Sequence, residues 1–135
     1  MTALETMAAE LGAEKPWEFD GGAWWLEPAG KSVRDVVEVM KAHGARFITI
    51  TAYELEPGAE LRLEYHWDLG GKLLGVRLQT HGRTMESIFD LCEAADWIER
   101  EVHEEYGIEF TGREYEPLLL REGATAGVNL REEVR

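Results

Sequence analysis

A single cysteine, Cys92, in 135 residues removes two explanations at once. It makes no intrachain disulfide and supplies no thiolate set for zinc or an iron–sulfur cluster, so a reducing compartment suits the chain. Positive charge is scarce as well, with 14 Lys and Arg against 27 Asp and Glu and a formal net charge of -13. That balance opposes a phosphate-binding surface and favours partners lined with Lys or Arg, so no nucleic acid is expected as a ligand. The most basic stretches, residues 34–46 and 77–83, are diluted by acids, glycine and apolar side chains. No apolar run reaches the roughly 18 residues of a spanning helix. The opening "MTALETMAAELGAEK" has acids where a secretory signal has basic residues before an apolar block. The chain is therefore expected not to cross a membrane by itself. G-x-G-x-x-G and G-x-x-x-x-G-K are missing too, so "DGG", "LGGKLLG" and "EYGIEFTG" read as turns and exits rather than phosphate cradles.

What is abundant is carboxylate, most densely in "DWIEREVHEEYGIEF", residues 96–110. Glu99 and His103 lie four apart on one helical face, a start for a metal site, but neither has a recognisable third ligand and H-E-x-x-H does not occur. Solvated or partner-paired charge is the weightier reading. Paired carboxylates for acid–base work need one pKa raised in a cleft, and 27 acids produce chance pairs without it. Cys92, near Leu91 and Ala94, reads as a small buried hydrophobe before it reads as a nucleophile. Trp17, Trp24, Trp25, Trp67 and Trp97 lack the basic interleaving of stacking platforms and are assigned to core or protein interface.

The length suits one domain. Leu4, Met7, Ala8 and Leu11 predict a short N-terminal helix broken near Pro16, and Trp24 to Leu26 predict an edge strand before Pro28. In "SVRDVVEVMKAHG", Ser32 and Asp35 form a capping box, Val33, Val36, Val37 and Met40 one apolar face, and Gly44 stands where a C-cap belongs. "RFITITAYEL" is rich in β-branched residues and reads as a strand. In "LRLEYHWD", Leu61, Leu63, Tyr65 and Trp67 alternate with Arg62, Glu64, His66 and Asp68, giving a strand buried on one face. "LGG" turns it back into "KLLGVRLQT". The prediction is an α+β fold, a mixed or antiparallel sheet with helices packed on its apolar face. Residues 87–106 read as a helix interrupted or bent near 92–95 and ended by Gly107. Within it Ile98, Val102 and Tyr106 share a face, Arg100 can pair with Asp96 or Glu104, and Trp97 is expected to bury against the sheet. Residues 117–120 form a short apolar piece. The organisation is then residues 1–30 as N-terminal helix and edge segment, 31–120 as the α+β body, and 121–135 as a tail that a partner orders.

The run "SIFDLCEAADWIEREVHEEYGIEFTG", residues 87–112, resembles the signature region of the 30 kDa, or C, subunit of respiratory complex I. That family also includes the corresponding small subunit of membrane-bound energy-converting nickel–iron hydrogenases and related complexes. Ser87 and Ile88, Leu91, Ala94 and Ala95, Trp97, the Glu99-Arg100-Glu101 triplet, Tyr106, Gly107, Ile108, Phe110 and Gly112 carry the likeness. It extends more weakly over residues 32–120, with Tyr65 and His66 at the place of the family's tyrosine–histidine pair. After Gly112, where the family has histidine and proline, this chain has Arg113 and Glu114, and His103 replaces a usual large aromatic. These departures favour a compact hydrogenase-type or ferredoxin-linked host, with an NADH:quinone oxidoreductase as the alternative.

The resemblance implies a non-catalytic subunit that binds no cofactor itself. Its partners would be a hydrogenase-like large subunit and a small iron–sulfur subunit, which carry the iron–sulfur clusters and any nickel–iron centre. Its place would be peripheral, on the cytoplasmic side of the cell membrane. It also implies interface or structural roles for Trp97, Glu99, Arg100, Glu101, Tyr106, Gly107 and Gly112, with Arg100 gripping a carboxylate bidentately. The residues alone leave a freestanding α+β ligand-binding domain or enzyme as the competing class.

Overall fold

Two helices start where a hydroxyl can close the first turn. Thr2 accepts from the Glu5 amide at α1 (Ala3–Glu10), and Ser32 with Asp35 forms the reciprocal capping box of α2 (Val33–Ala42). The computed structural model describes residues 2–54 and 60–114; the apolar piece at 117–120 and the tail at 121–135 lie outside the described residues. Five strands, β1 (Glu18–Asp20), β2 (Ala23–Leu26), β3 (Arg46–Tyr53), β4 (Arg62–Leu69) and β5 (Lys72–Gln79), join in the order β1-β2-β5-β4-β3. β2 and β5 run parallel and the other neighbours antiparallel, so the sheet is mixed, within the predicted fold class. β6 (Thr84–Glu86), α3 (Ala95–Tyr106) and β7 (Glu109–Thr111) follow, with β6 and β7 paired in parallel.

The alternation in β4 sets the core. Leu61, Leu63, Tyr65 and Trp67 are buried with Leu74 and Val76 of β5, under the Val33, Val36, Val37 and Met40 face of α2, Met7 of α1 and Leu11 at the end of α1. Each full burial of a large apolar side chain contributes roughly 1.5–3 kcal/mol. β3 keeps Phe47, Ile50 and Ala52 all inward despite the odd spacing from 47 to 50, because a register shift between Phe47 and Thr49 absorbs one residue. Gly70 and Gly71, both at positive φ (57° and 92°), form the two-residue β4–β5 turn.

Three expectations are corrected. β2 is not an edge strand: the Gly21-Gly22 turn folds β1 back along its outer side, and three exposed residues left no alternation to read. The helix expected over 87–106 begins only at Ala95. Residues 87–94 form successive turns (Cys92 N–H to Ile88 O, 2.8 Å; Ala95 N–H to Cys92 O, 2.9 Å), with the Ile88 amide donating to Glu99 and the Phe89 amide to Ser87 Oγ. The polar face of β4 is not wholly solvated either, since Glu64 is 6% exposed and accepts Arg77 Nε at 3.0 Å. The β6–β7 pair, too short for a periodicity signal, went unforeseen; the Ser87 N–H to Thr111 O bond (3.0 Å) and the Glu109 N–H to Arg83 O bond (2.7 Å) fasten it.

Candidate functional site

α3, which packs against β3, buries Ala95, Glu99 and Val102 at helical spacing, with Ile98 and Tyr106 half-buried beside them. A carboxylate therefore occupies a core position. Glu99 is 0% exposed, and three donors close around it. The Ser87 hydroxyl donates to Oε1 at 2.6 Å, the Ile88 N–H to Oε2 at 2.8 Å and Arg113 Nη1 to Oε1 at 3.0 Å. The Arg113 side chain, 3% exposed, also pairs with the Asp96 carboxylate, donates to the Asp96 carbonyl at 3.3 Å and lies over the Phe89 ring at 5.0 Å. Burial pushes the Glu99 carboxyl above its ordinary pKa, against the pull of Ser87, Ile88 and Arg113. With no exposed atom, this carboxyl meets no diffusing substrate; it ties the turn at 87–88 and the chain after β7 to one helix.

The outward side of α3 differs. Trp97, expected to bury, is 52% exposed: two residues beyond Ala95, its side chain points away from the Ala95–Glu99–Val102 face. Its indole N–H donates to Glu101 Oε1 at 2.5 Å. Arg100 places Nε 3.1 Å from Asp96 Oδ1, the predicted four-residue pair, but through one nitrogen. Arg113, not Arg100, is the arginine that joins two carboxylates within this chain, those of Asp96 and Glu99. Burial and the like charges of Glu101 and Glu104 push the Glu105 carboxyl up. At the helix end Gly107 (φ 70°) is the left-handed cap, its N–H bonded to the His103 carbonyl at 2.9 Å. Tyr106 is half-buried, and its carbonyl accepts from Arg83 at 3.3 Å. Gly112 (φ 86°) turns the chain so that Arg113 returns to α3.

The chemical alternatives find no constellation here. Glu99 is held in the clasp and His103 Nδ1 lies 2.8 Å from the Ile108 carbonyl oxygen, so the pair does not converge on open space. Among the described residues no group of three or more His, Cys, Asp and Glu is placed to hold a metal ion, and no helix is long and apolar enough to cross a membrane. Cys92 is half-buried, with its thiol pushed up by burial, the reverse of an activated nucleophile. Sequence reasoning missed the roles of Ser87, Ile88 and Arg113 in closing on Glu99 and of Asp96 in holding Arg113. Arg113 lies 17 residues from Asp96 and 14 from Glu99, beyond any helical spacing rule. The unusual Arg after Gly112 was the available signal.

Residues 26–135 match the family described as "Respiratory-chain NADH dehydrogenase, 30 Kd subunit". "NAD(P)H-quinone oxidoreductase subunit J" of Synechococcus sp. (strain CC9902) is 30% identical over 116 residues, covering 73% of this chain and 60% of that protein. The chain thus spans about 60% of the length of this curated relative. Among solved structures, a chain of the membrane-bound sulfane sulfur reductase, an archaeal respiratory membrane complex, superposes with a TM-score of 0.72 at 22% identity, covering 88% of this chain and 78% of the other. The trypsin-resistant fragment (1-134) of Nqo5 does so with a TM-score of 0.67 at 20% identity, covering 85% of this chain and 100% of the fragment. At these identities the two structures establish the shared fold.

Proposed function

Since the chain belongs to the family of the 30 kDa subunit of respiratory-chain NADH dehydrogenase, we propose that it is a scaffold subunit binding no cofactor, in the cytoplasm-facing arm of a complex I-like membrane-bound oxidoreductase. It holds a hydrogenase-like large subunit and a small iron–sulfur subunit in register, and those partners carry the redox centres. The observation that carries this reading is the closed state of Glu99: the buried carboxylate of the family-matching segment is engaged by Ser87, Ile88 and Arg113 and stiffens the frame around α3. Electron transfer needs centres held at fixed separations, and a rigid neighbour supplies that without carrying a centre. Glu99, Gly107 and Gly112 set the shape. Trp97, Arg100 and Glu101 face outward for a partner, flanked by Tyr106; an exposed tryptophan beside a partly exposed arginine is the composition of an interface anchor.

The host is a hydrogenase-type or ferredoxin-linked complex, in keeping with Arg113 and Glu114 in place of the family's histidine and proline. A quinone-reducing host is the second reading, favoured by the 30% identity to a subunit of that named function. Anaerobic affinity purification of the native chain in gentle detergent, with subunits identified by mass and nickel and iron quantified, tests both. Recovery with a large subunit and an iron–sulfur subunit is expected, nickel marking the hydrogenase-type host. A monodisperse chain recovered without partners would overturn the scaffold reading.

A further inference from the structure

The turn at 87–90 is held from both sides. Every polar group of Ser87 is engaged, and by different elements. Its N–H donates to the Thr111 carbonyl of β7 at 3.0 Å, and its carbonyl accepts from Arg34 Nη1 of α2 at 2.9 Å. Its hydroxyl donates to Glu99 of α3 at 2.6 Å and accepts from the Phe89 N–H at 3.1 Å. Arg34 also grips Asp90 with both prongs, Nη1 to Oδ1 and Nη2 to Oδ2, each at 2.8 Å. One guanidinium thus spans both ends of the turn. The Asp90 side chain is 64% exposed, where a simple ion pair contributes little, but a planar fork on both carboxylate oxygens together with a carbonyl is the geometry that holds. The place is unfavourable in itself, since Arg34 is the second residue of α2, at the helix end where the macrodipole opposes a cation. Its contacts to Ser87 and Asp90 offset that. On the other side of the turn, Glu99 takes the Ser87 hydroxyl and the Ile88 N–H. No hydrogen bond or ion pair joins Arg34 to Glu99 directly; residues 87–90 lie between them.

We propose that this turn is a relay coupling α2 to α3, with Arg34 as its outer anchor and Glu99 as its inner one, so that Arg34 is a positioning residue for a clasp it does not touch. The turn is too short to yield at one end alone. Losing Arg34 frees the Ser87 carbonyl and the Asp90 side chain, and the Ser87 hydroxyl and Ile88 N–H, within one peptide of that carbonyl, then lose the orientation that aims them at Glu99. Such coupling is reciprocal. Whatever secures Arg34 on Asp90 favours the closed clasp, and a partner that holds α3 in place tightens the fork. The use of the relay rests on the scaffold reading and deepens it: a subunit keeping two others in register must resist displacement of one face against another, and this turn ties the face of α3 to α2.

The test uses the full 135-residue chain without partners. Hydrogen exchange of the Ile88 amide, which is bonded to Glu99, reads the inner anchor. Arg34→Ala should speed that exchange at least about threefold relative to the amide of Tyr65 in the central strand β4. Arg46→Ala, which removes another exposed ion pair (Arg46 with Asp68, 3.6 Å), should leave the ratio unchanged. In urea unfolding, the combined effect of Arg34→Ala and Glu99→Ala on the unfolding constant should fall short of the product of the single effects by at least about twofold, because without the inner anchor the outer one has less to hold. Where that double variant does not fold, Glu99→Gln takes the place of Glu99→Ala under the same criterion. An unchanged Ile88 ratio in Arg34→Ala, or two effects that simply multiply, would overturn the relay. Neither result bears on whether the chain recovers its partners, which decides the scaffold reading, so the two failures are told apart.

Discussion

Truncating Glu99 to alanine should destabilise the free domain by about 3–5 kcal/mol. The magnitude follows from what is left behind. The buried Ile88 N–H and Ser87 hydroxyl lose their acceptor, Arg113 loses its Glu99 partner while keeping Asp96, and a fully buried side chain leaves a cavity. Asp96 is partly exposed and still answers Arg113, which holds the figure below the sum of three broken charge-assisted bonds. Urea unfolding followed by tryptophan fluorescence is the assay, and at about 3 °C per kcal/mol for a domain of this size the melting temperature should fall by roughly 10 °C. Glu99→Gln should cost less than half as much. Burial already pushes this carboxyl toward its neutral form, and the amide oxygen can still accept from the turn at 87–88. A Glu99→Ala variant within about 1 kcal/mol of wild type would refute the closed-clasp argument. So would a Glu99→Ala/Arg113→Met cycle that adds without coupling, since residues in one ion-pair network must couple.

Arg100→Ala should change free-domain stability by no more than about 0.5 kcal/mol, because its pair with Asp96 is a single partly exposed helical contact, yet it should reduce recovery of the assembled complex. Unchanged recovery would remove Arg100 from the interface. Gly75→Ala should cost about 1–3 kcal/mol by forcing the Trp25 ring off the sheet, with emission shifting to the red; removing the ring as well, in Trp25→Ala/Gly75→Ala, should abolish most of that cost, and a Gly75→Ala protein as stable as wild type would contradict the packing. His66 has its pKa lowered by burial, so the unfolded chain takes up its proton first: its contribution to stability is present above the ordinary imidazole value of about 6.5 and is lost as pH falls below that toward the folded pKa. His66→Gln should flatten stability measured across that window, and an NMR titration of His66 at or above the ordinary value would reverse the sign.

Elements with a complete local pattern were legible in the sequence. The box of Ser32 and Asp35, the strand alternation from Leu61 to Trp67 and the paired glycines of the β4–β5 turn each fix a conformation within a few residues, and the structure has all three. What stayed hidden depends on distant pairing. Glu64 reads as a solvent-facing residue until β5 brings Arg77 beside it, and Glu99 reads as surface charge until Gly112 returns Arg113 to α3. Trp97 misled in the opposite direction, since its hydrophobic bulk argued for burial while its helical position put it outside.

The acid-rich helix thus divides into two physical regimes that sequence alone cannot separate. In one, a carboxylate fully withdrawn from water needs donors from three segments, and such a network stiffens what it joins only if every member is satisfied. In the other, Glu101 and Glu105 stand four apart on α3, where like charges disfavour each other, and the Glu105 carboxyl is pushed up first by burial and then by the charges of Glu101 and Glu104. A protein whose only task was to fold would gain from relieving that repulsion with lysines on the same face. Keeping the acids beside an exposed tryptophan is advantageous when a basic partner covers them, because the repulsion stored in the free chain is then released on assembly. In the proposed scaffold the stiff inner clasp and the acid-rich outer face are complementary parts, the first fixing the geometry that the second presents.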